Sequence, residues 1–286
     1  MIRTNFMKQG LKEGKSYIGT FAKMTDPSTV EIISMIGFDF FIIDNEHSHM
    51  SKETMENLLR TADISGIIPI VRIRQNNRSM ILQSLDAGGL GIMVPETSTK
   101  SDVEEMINNT FYYPIGNRGF SPSHRAAGYG FMNGTEYARM ANDNILTIAY
   151  CETALALENL DDMLTVPNLD VMWIGPMDLS QALGVIGDNR HEKVQTAVER
   201  IIEGCKKAHV AVGTIASNAE EAKRLIDRGV QFIGLSSDQA MMAYAGKQFM
   251  KELGRPISVC AMKHAQSGGK NDRDMEEKTY RAAGNS

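Results

Sequence analysis

Phe38-Asp39-Phe40-Phe41-Ile42-Ile43-Asp44-Asn45-Glu46-His47 joins an unbroken apolar run to a cluster of charged and polar side chains. A strand covered on both faces by helices reads as continuous Phe, Ile and Val rather than as an alternation, so the run predicts a buried parallel strand. The acids and the imidazole that follow it have no packing reason to be there. They lie where parallel folds place their chemistry, past the carboxyl ends of strands. Glu152 and Asp178 close two later runs of the same kind.

Outward from this stretch, strand and helix alternate. Ile18 to Met24 is a first strand, and Asp26-Pro27-Ser28 opens a helix through Ile36 that Gly37 ends. After the strand Phe38 to Asp44, Ser51 caps a helix carrying Met55, Leu58, Leu59 and Ala62 on one face. Strands follow at Ile67 to Ile73 and Gly91 to Pro95, separated by a helix from Met80 to Ala87, with another helix near Asp102 to Thr110. The rhythm breaks at Tyr113-Pro114-Ile115-Gly116-Asn117-Arg118-Gly119, and an excursion to about Asn144 is too long for an ordinary connection, which predicts a functional loop. Strands at Ile145 to Cys151, Leu169 to Ile174, Val210 to Ile215 and Gln231 to Leu235 alternate with helices at Leu157 to Leu164, Val194 to Ala208, Ala219 to Asp227 and Met241 to Leu253.

Eight strands with intervening helices and no linker predict a single α/β domain, a (β/α)8 barrel over residues 1–255, with a doubly wound open sheet as the other architecture. Residues 256–286 form a polar tail, read as mobile or as an oligomer arm. No Gly-x-Gly-x-x-Gly follows the first strand and no Walker lysine motif occurs, which weakens nucleotide readings. Of the 286 residues 42% are hydrophobic, and the formal charge of −5 leaves no basic excess for nucleic acid. No stretch reaches the roughly 20 apolar residues of a membrane helix, and three widely spaced cysteines suit a reducing cytoplasm. The expected partner is a small molecule.

On such a barrel, His47 lies past strand two, Arg72 and Arg74 end strand three, Glu152 ends strand five and Asp178 follows strand six. Counting in twos puts Ile148, Tyr150 and Glu152 on one face, and Ile174, Pro176 and Asp178 on one face if the pleat persists. Two carboxylates on adjacent strand ends repel unless a cation lies between them, and oxygen ligands favour a hard ion such as Mg²⁺ or Mn²⁺. Spacing alone fits two separate, solvated acids equally well. A Schiff-base mechanism would need a lysine at a strand end, where Lys23 is the one candidate. His124 and Arg125 read equally as contacts to a second substrate or a neighbouring subunit and as ties for the long loop, Asp86 as a solvated acid near a helix end, and His49 as a solvated or loop-positioning histidine rather than half of a zinc pair with His47.

Asp44-Asn45-Glu46-His47, Val71-Arg72, Asp86 through Pro95, Arg118-Gly119, Glu152-Thr153 with Glu158-Asn159, and Gly175-Pro176-Met177-Asp178-Leu179-Ser180 together resemble the HpcH/HpaI aldolase family, metal-dependent class II pyruvate aldolases related to the citrate lyase β-subunit. The resemblance runs from about Gly19 to Gly234 with its motifs in order. It implies a (β/α)8 barrel whose last helix is exchanged between subunits, in a homo-oligomer such as a hexamer or trimer of dimers. It also implies that Glu152 and Asp178 bind a divalent metal, Mg²⁺ or Mn²⁺ with Co²⁺ a further candidate. His47 with Asp44 would be the base dyad, and Arg72 would contact the keto oxygen of the substrate. Phe21, Tyr150, Pro176, Met177 and Ile215 complete the expected substrate pocket.

The reaction implied is cleavage or formation of a 4-hydroxy-2-oxo acid through a pyruvate enolate, with a small 2-oxo acid and an aldehyde or keto compound as substrates. The alternatives are decarboxylation of oxaloacetate, citrate-synthase-like condensation on the same site, or a binding subunit without turnover. Three positions depart from the family pattern: Asn45 stands for a frequent Gly, His49 for a frequent Pro, and Tyr150 for a common Gln. The half of the site facing the second substrate is therefore the altered half.

Overall fold

The structure, a computed structural model, describes residues 2–255. Eight parallel strands close in sequence order: β1 (Tyr17–Ala22), β2 (Phe40–Asp44), β3 (Ile68–Arg72), β4 (Gly91–Val94), β5 (Leu146–Cys151), β6 (Val171–Ile174), β7 (Ala211–Ala216) and β8 (Phe232–Ser237). Pairing of Tyr17 with Phe232, Ile18 with Ile233 and Gly19 with Gly234 joins the first strand to the last. That closure excludes the open sheet. The helices are α1 (Phe6–Lys12), α2 (Ser28–Ile36), α3 (Lys52–Ser65), α4 (Arg78–Asp86), α5 (Lys100–Thr110), α6 (Gly134–Asn144), α7 (Ala154–Glu158), α8 (Leu160–Met163), α9 (Pro176–Ala182), α10 (Glu192–Ala208), α11 (Ala219–Asp227) and α12 (Asp238–Glu252). Among the described residues, no helix is long and apolar enough to cross a membrane.

Local chemistry explains the boundaries. Ser51 accepts the Thr54 N–H and starts α3, while Gly37 and Gly66 end α2 and α3 in the left-handed conformation. Inside the barrel Phe40 stacks on Phe232 with ring centroids 4.0 Å apart, and Trp173 packs against Phe232, Phe21 and Tyr150 at 5.8–6.1 Å. These rings fit because β7 and β8 present glycines to them: a Cβ on Gly213 would lie 2.7 Å from Trp173, and one on Gly234 would lie 2.9 Å from both Phe21 and Trp173. The barrel is therefore plugged by aromatics, and the polar side chains at its mouth rest on a dry floor.

One element lies outside the expectations, and three expectations are corrected. The N-terminal segment holds α1, which plugs the far end of the barrel. Asn5 caps it and donates from Nδ2 to the Leu90 carbonyl, and Lys8 pairs with Asp170 at 3.1 Å. The excursion after α5 is not a plain loop, since it contains a 3-10 turn (Arg125–Gly130) and the amphipathic helix α6 capped by Asn133. The helix expected over Leu157 to Leu164 is two short ones, α7 and α8, broken at Asn159. The pleat also stops at Ile174: Pro176, whose φ and missing N–H suit a first helical position, opens α9.

By internal contacts the chain divides at Met241, with the barrel in the first unit and the remainder of α12 in the second. The tail 256–286 lies outside the described residues.

Candidate active site

The register of the strands assembles the mouth. Asp44 ends β2 directly beside Arg72 at the end of β3, and Cys151 beside Ile174 places Glu152 next to Gly175. Asp44 is fully buried, and its carboxylate accepts from Arg72 Nε at 3.1 Å and Nη2 at 2.6 Å and from the backbone N–H groups of Glu46 and His47 at 3.2 and 3.0 Å. Burial works against its charge, but the guanidinium and these donors outweigh it and hold the carboxyl below its usual range. Arg72 Nη1 reaches Glu46 Oε2 at 2.9 Å and the Tyr150 hydroxyl at 3.2 Å, while its guanidinium sits 4.9 Å above the Phe21 ring. Desolvation would depress Arg72, yet Tyr150, Asp44 and Glu46 around it push its pKa upward. The cation is clamped on every edge.

Glu152 faces it from β5. Its Oε1 accepts from the Glu96 backbone N–H at 2.9 Å, an N–H aimed by the left-handed conformation of Glu96 (φ 53°). Gly175 gives the other oxygen room, because a Cβ there would lie 2.4 Å from Oε2. Burial first, with the Glu96 hydrogen bond opposing and the charges of Asp178 and Glu46 adding, pushes the Glu152 carboxyl up to about 7. Asp178 is exposed in the first turn of α9, where an acid is favoured by the helix end. So β5 and β6 do bring the two acids within electrostatic reach, through the start of a helix rather than a continued strand.

The other expected site residues divide. Tyr150 is buried, its hydroxyl donating to the Met93 sulfur at 3.4 Å, and Phe21 is buried beneath the Arg72 guanidinium. Met177 and Ile215 are exposed, and Pro176 is half-buried. His47 is exposed, and the expected contact of its ring with Asp44 is replaced: Asp44 takes its backbone N–H, and Nε2 lies 3.8 Å from Glu46 Oε2. The reason is competition, since Arg72 occupies both Asp44 oxygens. Glu46, which had been given no role, thus joins the site, and its two-residue spacing from Asp44 was the available signal. Burial raises its carboxyl pKa against the pull of Arg72. Lys23 also enters, with Nζ 3.3 Å from Asp44 Oδ2. Arg118 and His124 both face Asp86, at 2.6 and 3.4 Å, and Arg125 donates to the Ala87 carbonyl at 2.7 Å, so these residues fasten the long excursion to α4.

Comparison with known proteins agrees with this fold. Residues 17–245 match the family model described as HpcH/HpaI aldolase/citrate lyase. The chain is 31% identical over 243 residues to a 2-dehydro-3,6-dideoxy-6-sulfogluconate aldolase of Pseudomonas putida, covering 85% of this chain and 94% of that protein. A HpcH/HpaI aldolase/citrate lyase family protein from Burkholderia cenocepacia J2315 superposes with a TM-score of 0.84 at 28% identity, over 88% of this chain and all (100%) of the other. A citrate synthase, SbnG, superposes with a TM-score of 0.78 at 31% identity, over 87% and 98% of the two chains. The chain belongs to the HpcH/HpaI aldolase/citrate lyase family and is an enzyme of its aldolase/lyase type on a closed (β/α)8 barrel.

Proposed function

We propose that the protein cleaves a 4-hydroxy-2-oxo acid into pyruvate and an aldehyde, or runs the condensation, with a divalent metal held by Glu152 and Asp178. The observation that carries this reading is the placing of Glu152, whose carboxyl is raised first by burial and then by the neighbouring acids Asp178 and Glu46, in one mouth with a clamped Arg72. The donor set fits a hard cation: the ligands are carboxylates, their mutual repulsion is what a cation relieves, and Gly175 keeps one Glu152 oxygen clear. Among the described residues no three His, Cys, Asp or Glu side chains converge as a closed metal cage. Two carboxylates that leave the remaining positions to water and substrate suit Mg²⁺ or Mn²⁺, with Co²⁺ a further candidate.

A bound cation would supply Lewis-acid polarisation of the 2-oxo acid. The chain's own residues do the rest. Arg72 presents a fixed positive charge to the oxygen on which negative charge develops as the carbon–carbon bond breaks. Asp44, fully buried, holds the guanidinium in place and takes no proton itself. His47, exposed at the rim, removes or returns the hydroxyl proton directly or through water, with Glu46 as the carboxylate in reach. Phe21 and Trp173 keep water from beneath the reacting carbons.

The test is deuterium exchange into the pyruvate methyl group, followed by NMR on protein stripped of metal and then resupplied with Mg²⁺ or Mn²⁺. Exchange only with metal supports the reading; no exchange under either metal removes it. A Gly175→Ala variant is expected to fold, yet to lose about 10- to 100-fold in metal affinity, because its methyl group displaces the Glu152 carboxylate. Unchanged affinity in a metal titration would show that Glu152 is not a ligand.

A citrate-synthase-like condensation is favoured by one observation, the 31% identity to SbnG, and product analysis with oxaloacetate separates it from aldol cleavage. We also place the protein in the cytoplasm as a homo-oligomer acting on small molecules; the free, buried thiols of Cys151 and Cys205 fit a reducing compartment.

A further inference from the structure

Lys23 has no part in the chemistry proposed above, yet it stands in the mouth. It keeps the inward parity of Gly19 and Phe21 on β1, one step beyond the end of that strand. Its backbone is pinned: the Lys23 N–H donates to the Asp238 carboxylate at 2.9 and 3.1 Å, and the Met24 N–H donates to the same group at 2.8 Å. Asp238 is itself buried at the start of α12. A buried acid spent on two adjacent N–H groups fixes where the lysine stem leaves the strand.

The ammonium group then lies 3.3 Å from Asp44 Oδ2, with the side chain 27% exposed. Asp44 does not need it. Four shorter bonds, from both sides of the Arg72 guanidinium fork and from two backbone N–H groups, already satisfy that carboxylate. Lysine carries three rotatable donors on a flexible stem, and the long contact to Asp44 steadies the group while engaging one of them. In an eight-stranded closed barrel β1 lies opposite β5, so Lys23 stands across the mouth from Glu152. A 2-oxo acid on the Glu152 side would direct its reacting carbon, and whatever is bonded to it, toward β1.

We propose that Lys23 is a specificity residue that binds a terminal carboxylate on the second substrate, so that the preferred acceptor is an anionic aldehyde or keto acid. This rests on the enolate reading above. The pair is charge-assisted and sits over an apolar floor, where such bonds are strongest.

The experiment pairs pyruvate with succinate semialdehyde and with butanal, an uncharged aldehyde of the same chain length, in wild type, Lys23→Met and Lys23→Arg. Wild type is expected to favour the anionic acceptor in kcat/KM. Lys23→Met should lose roughly 10- to 100-fold with it, the worth of one hydrogen bond to a charged group, and change little with butanal. Lys23→Arg should keep the preference, and each variant is read as the ratio of kcat/KM on the two aldehydes, which any shared effect on pyruvate through Asp44 leaves unchanged. Equal losses on the two aldehydes, no loss in Lys23→Met, or a wild type indifferent to charge would overturn the assignment. A wild type that exchanges no pyruvate protons sinks the enolate reading instead. Calorimetric binding of oxaloacetate against 2-oxobutyrate, in wild type and Lys23→Met, then decides Lys23 separately: a dicarboxylate preference lost in the variant supports it, and none in wild type ends it.

Discussion

Glu152→Gln is expected to abolish pyruvate exchange and, in the metal-free protein, to raise stability at pH 8 while leaving it unchanged near pH 4. Burial and neighbouring acids put the folded carboxyl at about 7, against an ordinary glutamate near ~4.3. A raised carboxyl pKa means that the folded state binds the proton more tightly than the unfolded state. Below about pH 4 both states are protonated and nothing is lost. Between about 4.3 and 7 the unfolded chain releases its proton while the folded chain retains it, so stability falls as pH rises. Above that window the full cost, on the order of 3 kcal/mol, persists. Glutamine keeps an oxygen for the Glu96 N–H and carries no charge, so it removes the cost. Urea denaturation in a chelator at pH 4.5 and pH 8 measures both ends, and an identical difference at the two would refute the raised carboxyl that burial first, and the neighbouring acids next, give Glu152. Saturating divalent cation should close the gap by stabilising wild type alone.

Arg72→Met is expected to cost more than any other single change at the mouth. Asp44, with no solvent access, would keep only two backbone donors and the more distant Lys23. Breaking a buried pair from one side leaves an uncompensated charge, typically about 3–5 kcal/mol, and the loss of a fixed cation at the developing oxyanion costs a further ~10²–10³ in rate. Thermal unfolding and the NMR exchange assay read the two effects separately. Arg72→Lys should not rescue either, because one ammonium cannot bridge Asp44, Glu46 and Tyr150 as the guanidinium does. A lysine variant with wild-type stability would show that the pair is replaceable by charge alone.

Much of the barrel was legible because its signals are local. Continuous apolar runs such as Phe40–Asp44 and Ile68–Arg72 can be satisfied only by burial on both faces, and side-chain oxygens or glycines punctuate the helices between them. Short or weakly patterned elements escaped: α1 has seven residues, and α6 lies behind a stretch of turn formers that reads as one long loop. At the site, residue types and approximate positions could be read from charge at strand ends. Their partners could not.

The sequence by itself determined the repeating strand–helix order, the placing of Asp44, Arg72 and Glu152 at strand ends, and the family, since each is written in consecutive residues. Only the tertiary structure decided that Arg72 takes both oxygens of Asp44 and leaves His47 beside Glu46. It alone put Asp178 on a helix turn beside the strand that carries Glu152 and brought Lys23 to the mouth. Such pairings depend on distances between strands remote in sequence and on competition among several charges for one carboxylate. Neither is set until the barrel closes and the register of each strand against its neighbour is fixed.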